Sequence, residues 1–249
     1  MKIIYSHYVK LIAGSLLLST LAAQAAIVPD RTRVIFPGDQ KSVSVTLRND
    51  SQTQPYLAQA WIETNTGQKI TSPMTVLPPV QRVEPTGTGQ VKVQGMPTVA
   101  SLPQDRETMF YFNIREIPPK SNKPNVLQIA LQTRIKLFYR PAALPALDPQ
   151  HPWQHQLTLT RNSDSYTVKN PTPYFVILSS AGPSKDQPVA SFEPIILAPF
   201  ASQPLKVKSA ELGHEPVLGY VNDYGGRPSL YFTCAANTCS VNEEKSLKK

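Results

Sequence analysis

Few side chains in this sequence form a pattern that chemistry would need. Two cysteines, Cys234 and Cys239, stand five residues apart near the end. A redox centre uses C-x-x-C spacing, which is absent. Zinc would require two more ligands, and His151, His155 and His214 form no metal motif with the cysteines. In an oxidising compartment such a lone pair is most simply a disulfide closing a small turn after the strand-like run 230–233. Beyond the first 25 residues there is no G-x-S-x-G, no H-E-x-x-H and no P-loop. Gly87-Thr88-Gly89 is not followed by G-K-S/T, so it is read as a turn and not as a phosphate cradle. No catalytic residue is assigned, and neither a metal nor a cofactor is implied.

The chemistry on offer is therefore recognition, and one stretch stands out for it. Residues 125–141 read N-V-L-Q-I-A-L-Q-T-R-I-K-L-F-Y-R-P. One parity carries Leu127, Ile129, Leu131, Thr133, Ile135, Leu137 and Tyr139, and the other carries Gln128, Ala130, Gln132, Arg134 and Lys136. Period two predicts a strand with one apolar and one polar face. Strands usually run about 5–6 residues, so this one is too long for its own sheet. Part of its ladder and part of its apolar row are left for something else to cover.

The first residues read as an export signal. Lys2 and Lys10 flank a basic start, residues 11–23 are apolar or small, and Ala23-Gln24-Ala25 is an A-x-A cleavage pattern. The apolar core is too short to span a bilayer, and no second long apolar run follows. Cleavage after Ala25 takes 249 residues to 224 and, with Lys2 and Lys10 gone, the formal charge from +8 to +6. The remaining basic residues are scattered, with neither the patch nor the module that nucleic-acid binding uses. The tail from Lys245 is expected to be solvated and frayed.

Twenty-five prolines, all after the signal, cut the chain into short alternating runs with no convincing helical stripe. The fold expected is all-β: two immunoglobulin-like sandwich domains. About seven strands are expected before the linker. The loop 118–124 should join 109–117 to the long strand as an antiparallel pair. The proline-rich stretch 141–149 marks a short, stiff linker. The expected division is 1–25 signal, 26–143 first domain and 144–249 second, in an L-shaped molecule with a cleft between the domains.

Several separate segments, in order, resemble the periplasmic pilus chaperones: Asp30-Arg31-Thr32-Arg33, P-Y-L-A-Q-A-W-I-E at 55–63, P-P-V-Q-R-V-E-P at 78–85 and L-P-Q-D-R-E at 102–107. Y-F-N-I-R-E-I-P-P at 111–119, the stretch 125–141, N-P-T-P-Y at 170–174 and N-D-Y-G-G-R-P at 222–228 continue the series. The resemblance spans essentially the whole chain after the signal. It implies a chaperone that lends its long strand to a pilus subunit lacking the last strand of its own fold. Strand addition between chaperone and pilin is an established mode of recognition. The lent face would be Leu127, Ile129 and Leu131, with Val126 or Thr133 at its ends.

By motif, the resemblance makes Arg33 and Lys136 the anchor for the subunit's C-terminal carboxylate. It makes Glu107, Arg140 and Asp223 a structural ion cluster between the domains. It also implies the partners: pilins and a tip adhesin as clients, and an outer-membrane usher as recipient. The apolar row itself leaves self-association of the free form open. The competing reading is a structural or adhesive pilus component. That would need an alternating apolar extension after the signal, and here Ile27-Val28 stops at Pro29.

Overall fold

The computed structural model describes residues 25–145 and 147–247. Apart from Ala25, the export signal lies outside the described residues.

The first half alternates along nearly every segment and forms ten strands: β1 (Ile27–Pro29), β2 (Arg33–Pro37), β3 (Ser42–Asn49), β4 (Tyr56–Glu63), β5 (Lys69–Ile70), β6 (Met74–Leu77), β7 (Val80–Val83), β8 (Thr88–Gly95), β9 (Thr108–Ile117) and β10 (Gln132–Arg140). One sheet has the order β1-β3-β8-β6, the other β2-β10-β9-β4-β5 with β7 also on β4. Val45, Leu47, Val91 and Val93 of the first sheet meet Ile62, Phe112, Ile114 and Leu137 of the second, all 1% exposed or less. Each such aliphatic side chain contributes roughly 1.5–3 kcal/mol by leaving water. Pro78 and Pro79 lie where the chain leaves one sheet for the other, from β6 on β8 to β7 on β4. Lacking an N–H, neither can donate to a ladder, though the Pro79 carbonyl accepts the Ala60 N–H at 2.8 Å.

The second half has its own core. Its strands are β11 (Thr158–Arg161), β12 (Ser165–Lys169), β13 (Val176–Gly182), β14 (Ile195–Leu197), β15 (Ser202–Lys208), β16 (Val217–Tyr220), β17 (Ser229–Ala235) and β18 (Thr238–Val241). They follow the order β14-β13-β16-β17-β18-β11-β12-β15. β17 serves both layers: residues 229–231 pair with β16 and 232–235 with β18. Leu157, Leu159, Val168, Leu178, Leu205, Leu218 and Leu230 fill the space between. Cys234 and Cys239 face each other in register across β17 and β18 and are bonded.

Two expectations are corrected. The segment 125–141 is not one continuous strand, because its ladder covers Gln132–Arg140. Its neighbours set that limit. β9 ends at Ile117 before Pro118-Pro119, and its last bond to this segment runs from the Glu116 N–H to the Leu131 carbonyl at 3.0 Å. The tail is not wholly frayed either. Glu243–Leu247 form a short helix, α2, held where the Ser246 hydroxyl accepts the Tyr231 N–H at 3.0 Å; a first short helix, α1 (Ser209–Leu212), lies earlier, after β15.

Candidate functional site: an open strand edge beside two basic residues

β10 carries the site because both of its faces are in use while one of its edges is covered for only part of its length. It pairs antiparallel with β9 from Gln132↔Arg115 to Tyr139↔Thr108, the pairing expected from the sequence. On its other edge β2 runs parallel, but only from Lys136↔Arg33 onward. Gln132–Ile135 therefore have a partner on one side. Residues 126–130 have no backbone–backbone hydrogen bond among the described residues. Along this uncovered run the apolar row faces water: Leu127 is 86% exposed and Ile129 65%. Leu131 and Thr133 are half-buried where the segment joins the sheet. The same parity continues into the core as Ile135, Leu137 and Tyr139.

The opposite parity of β10 carries Arg134, Lys136, Phe138 and Arg140. Arg33 and Lys136 are brought together as Cα partners on parallel strands. Neither joins an ion pair among the described residues. Arg33 Nη1 donates to the Val221 carbonyl at 3.3 Å across the domain boundary, and its Nε is buried with no partner among the described residues. Burial lowers the pKa of Arg33, with Asp223 acting against the shift. Burial also lowers that of Lys136, reinforced by Arg33 and Arg134. Two partly desolvated cations thus stand side by side with no ion-pair partner among the described residues, an arrangement suited to an anion. The arginine fork and the compact ammonium suit one carboxylate.

The cleft beside Arg33 has a volume of about 580 Å³, and Arg31, Thr32, Arg140, Asp223 and Tyr224 are among its walls. The second domain approaches closely here. A Cβ on Gly225, which has φ +85°, would lie 2.5 Å from Thr32 Oγ1, so only glycine fits that turn.

Glu107, Arg140 and Asp223 meet at the boundary. Arg140 Nε donates to Glu107 Oε1 at 2.7 Å, while Nη1 and Nη2 donate to Asp223 at 2.7 and 3.2 Å. Glu107 Oε2 accepts the Phe175 N–H of the second half at 2.8 Å. Burial holds the Glu107 carboxyl above its usual range against the pull of Arg140. Burial works against the charge on Arg140, but the two carboxylates outweigh it and raise its pKa. Phe138 packs against Phe175 with ring centres 5.6 Å apart and the planes tilted by 42°, adding an apolar contact to the same boundary.

Sequence reading missed several participants. Val221 contributes a main-chain carbonyl, which no side-chain pattern can announce. Tyr224, 94% exposed, lines the cleft inside the 222–228 motif, where only its neighbour Asp223 was given a role. Phe138 was legible as an aromatic at a polar-parity position of the long stretch.

Residues 26–145 match the family model described as pili and flagellar-assembly chaperone, PapD N-terminal domain. Residues 152–232 match that of the pili assembly chaperone PapD, C-terminal domain. The chain is 58% identical over 237 residues, 94% of each chain, to the probable fimbrial chaperone YfcS of Escherichia coli K12. It is 50% identical to the chaperone protein PapD of Escherichia coli, over 90% of this chain and 92% of that one. The crystal structure of the CupB2 chaperone of Pseudomonas aeruginosa is similar at 30% identity with a TM-score of 0.68, covering 82% of this chain and 98% of that one. With both halves matched and identity this high over nearly the full length, the chain belongs to the PapD family, whose members are chaperones of pilus assembly and not enzymes.

Proposed function

We propose that this chain captures pilus subunits by lending them the edge and the apolar row of residues 126–135, and that Arg33 and Lys136 hold the subunit's C-terminal carboxylate. The observation that carries this reading is where the open edge stops. β2 occupies that edge of β10 only from Arg33 onward. A guest strand filling the edge before it ends at Lys136, beside Arg33. A guest whose C-terminus lies there runs parallel to β10, as β2 does. The uncovered run of ten residues offers on the order of 30 Å of ladder at about 3.3 Å per residue. Its main-chain bonds supply register, and Leu127, Ile129 and Leu131 supply the apolar filling. Under this reading residues 26–143 provide the strand and both bases, and 144–249 close the cleft. The complex forms in the periplasm, and an outer-membrane usher receives it. In the free protein the same row is open to a second copy of the chain.

The test is a pull-down from the periplasm with co-expressed pilus subunits, comparing wild type with Arg33→Ala and Lys136→Ala. Truncating one member of a desolvated charge contact costs about 2–5 kcal/mol, so each folded variant should lose the subunit while wild type retains it. If wild type retains none, subunit capture is wrong. Equal retention by the variants would leave the strand and remove the anchor.

A further inference from the structure

Glu116 is out of keeping with its strand. The core-facing positions along β9 are Phe110, Phe112, Ile114 and Glu116, and all four are buried, Glu116 at 6% exposed. Its carboxylate belongs to neither the cleft nor the ion cluster. No lysine, arginine or histidine pairs with it among the described residues. Instead Glu116 Oε2 accepts the backbone N–H of Ala26 at 2.5 Å and that of Ile27 at 2.9 Å. Buried carboxylates usually have a counter-charge, and the two neutral amides here supply hydrogen bonds but none of that charge.

We propose that Glu116 is the binding site for the α-ammonium group created at Ala26 when the export signal is cut off. Hydrolysis of the Ala25–Ala26 peptide bond consumes one water. Ala25 leaves with the signal as a carboxylate, and Ala26 keeps the nitrogen, which takes up the released proton as –NH3+. Two separate observations meet at this residue. The A-x-A pattern at 23–25 puts the cut after Ala25, and Ala26 is the residue whose nitrogen sits on the buried carboxylate. Before the cut that nitrogen offers one N–H and no charge; afterwards it offers three and a full positive charge. The new terminus is also held from the far side. The Ala26 carbonyl accepts the Asp50 N–H at 2.8 Å, and Ile27, 1% exposed, opens β1 opposite Asn49.

The pairing reaches the open strand. The Glu116 N–H donates to the Leu131 carbonyl, the last ladder bond before residues 126–130 leave the sheet. One residue thus grips the new N-terminus with its side chain and the foot of the free segment with its main chain. Signal removal completes the support under that foot, whatever partner the segment takes.

The experiment uses the full protein exported to the periplasm, as wild type, Glu116→Gln, a variant with one glycine inserted between Ala25 and Ala26, and the combination. Intact mass should place the wild-type start at Ala26; any other start overturns the proposal. An α-amine-selective acylating reagent at pH 7 should label wild type at least tenfold more slowly than Glu116→Gln or the glycine variant. Equal rates would overturn it. The added glycine should lower Tm in the wild-type background and leave it unchanged in Glu116→Gln, because the partner is already gone. Losses that simply add would mean that Glu116 serves the amides alone, and the proposal fails. Should Glu116→Gln not fold, the labelling rates of wild type and the glycine variant decide the matter by themselves.

Discussion

Truncating the exposed row separates client binding from folding, and the magnitude follows from exposure. Leu127→Ala removes three carbons, worth about 2.4 kcal/mol at roughly 0.8 kcal/mol each when fully buried. Leu127 is 86% exposed in the free protein, so about 2 kcal/mol of that gain is still to be realised in a complex. At about 1.4 kcal/mol per decade this is about 30-fold in affinity. Ile129, 65% exposed, has about 1.5 kcal/mol to realise, or about 10-fold. Folding should not notice either change, since exposed substitutions stay within about 0.5 kcal/mol. Leu137→Ala on the same parity of β10 is the contrast: it is 0% exposed, and its loss should take about 2–5 kcal/mol from stability. The assay co-expresses a tagged variant with untagged wild type and one pilus subunit, and measures the ratio of the two complexes. Melting curves of the free proteins accompany it. Equal complexes for Leu127→Ala and wild type would refute the reasoning. So would a fall in Tm, because the row would then already be buried in the free form.

Lys136→Met should stabilise the free protein at neutral pH while removing the anion receptor. Burial, with Arg33 and Arg134, holds the Lys136 pKa below its usual 10.5, so between that lowered value and 10.5 the native chain binds fewer protons than the unfolded one. Wild-type stability therefore gains as pH rises through this window and loses as pH falls, and urea melts of Lys136→Met should lack that slope. Arg140→Ala leaves Glu107, 4% exposed, without its cation and should cost about 3–5 kcal/mol in denaturant unfolding. Asp223→Asn should cost much less, because Glu107 still holds Arg140; equal losses would mean that the cluster is not organised around the arginine.

Period-two alternation made the strands and the core face legible, because a sheet with one buried face imposes that period on any sequence. It could not show where β10 begins. Val126–Leu131 and Thr133–Tyr139 alternate alike, and what separates them is the neighbour: β9 stops at Pro118-Pro119, and β2 starts only at Arg33. The roles of Arg33, Lys136, Glu107, Arg140 and Asp223 came from family resemblance and not from periodicity. Contacts between residues 83 positions apart, such as Arg140 with Asp223, leave no local trace. Glu116 did leave one, as an acid at the fourth of four core-facing positions of β9. α2 is too short to stand alone; it depends on docking to Tyr231 and on Lys245 near Glu215 at 3.5 Å.

The bases on the cleft-side parity of β10 explain why the free protein tolerates a charge it does not pair. Arg140 is held by two carboxylates, and Arg134 lies 3.3 Å from Glu63 and over the Tyr111 ring at 3.4 Å. Among the described residues Lys136 stands between them with no such ion pair, beside Arg33, which has none either. The strand is therefore neutralised on both sides of the one point where its edge passes from open to covered. An arriving carboxylate would be the missing member of the set, and its gain is largest there because the cations are already partly stripped of water. Position then does the rest. Fixing a guest's last residue at Lys136 fixes which of its side chains lies beside Leu131, Ile129 and Leu127, and a slip of one residue would turn every one of them to the wrong face. If these two bases hold the guest's end, the electrostatic strain of the free form and the register of the complex follow from the same pair of residues.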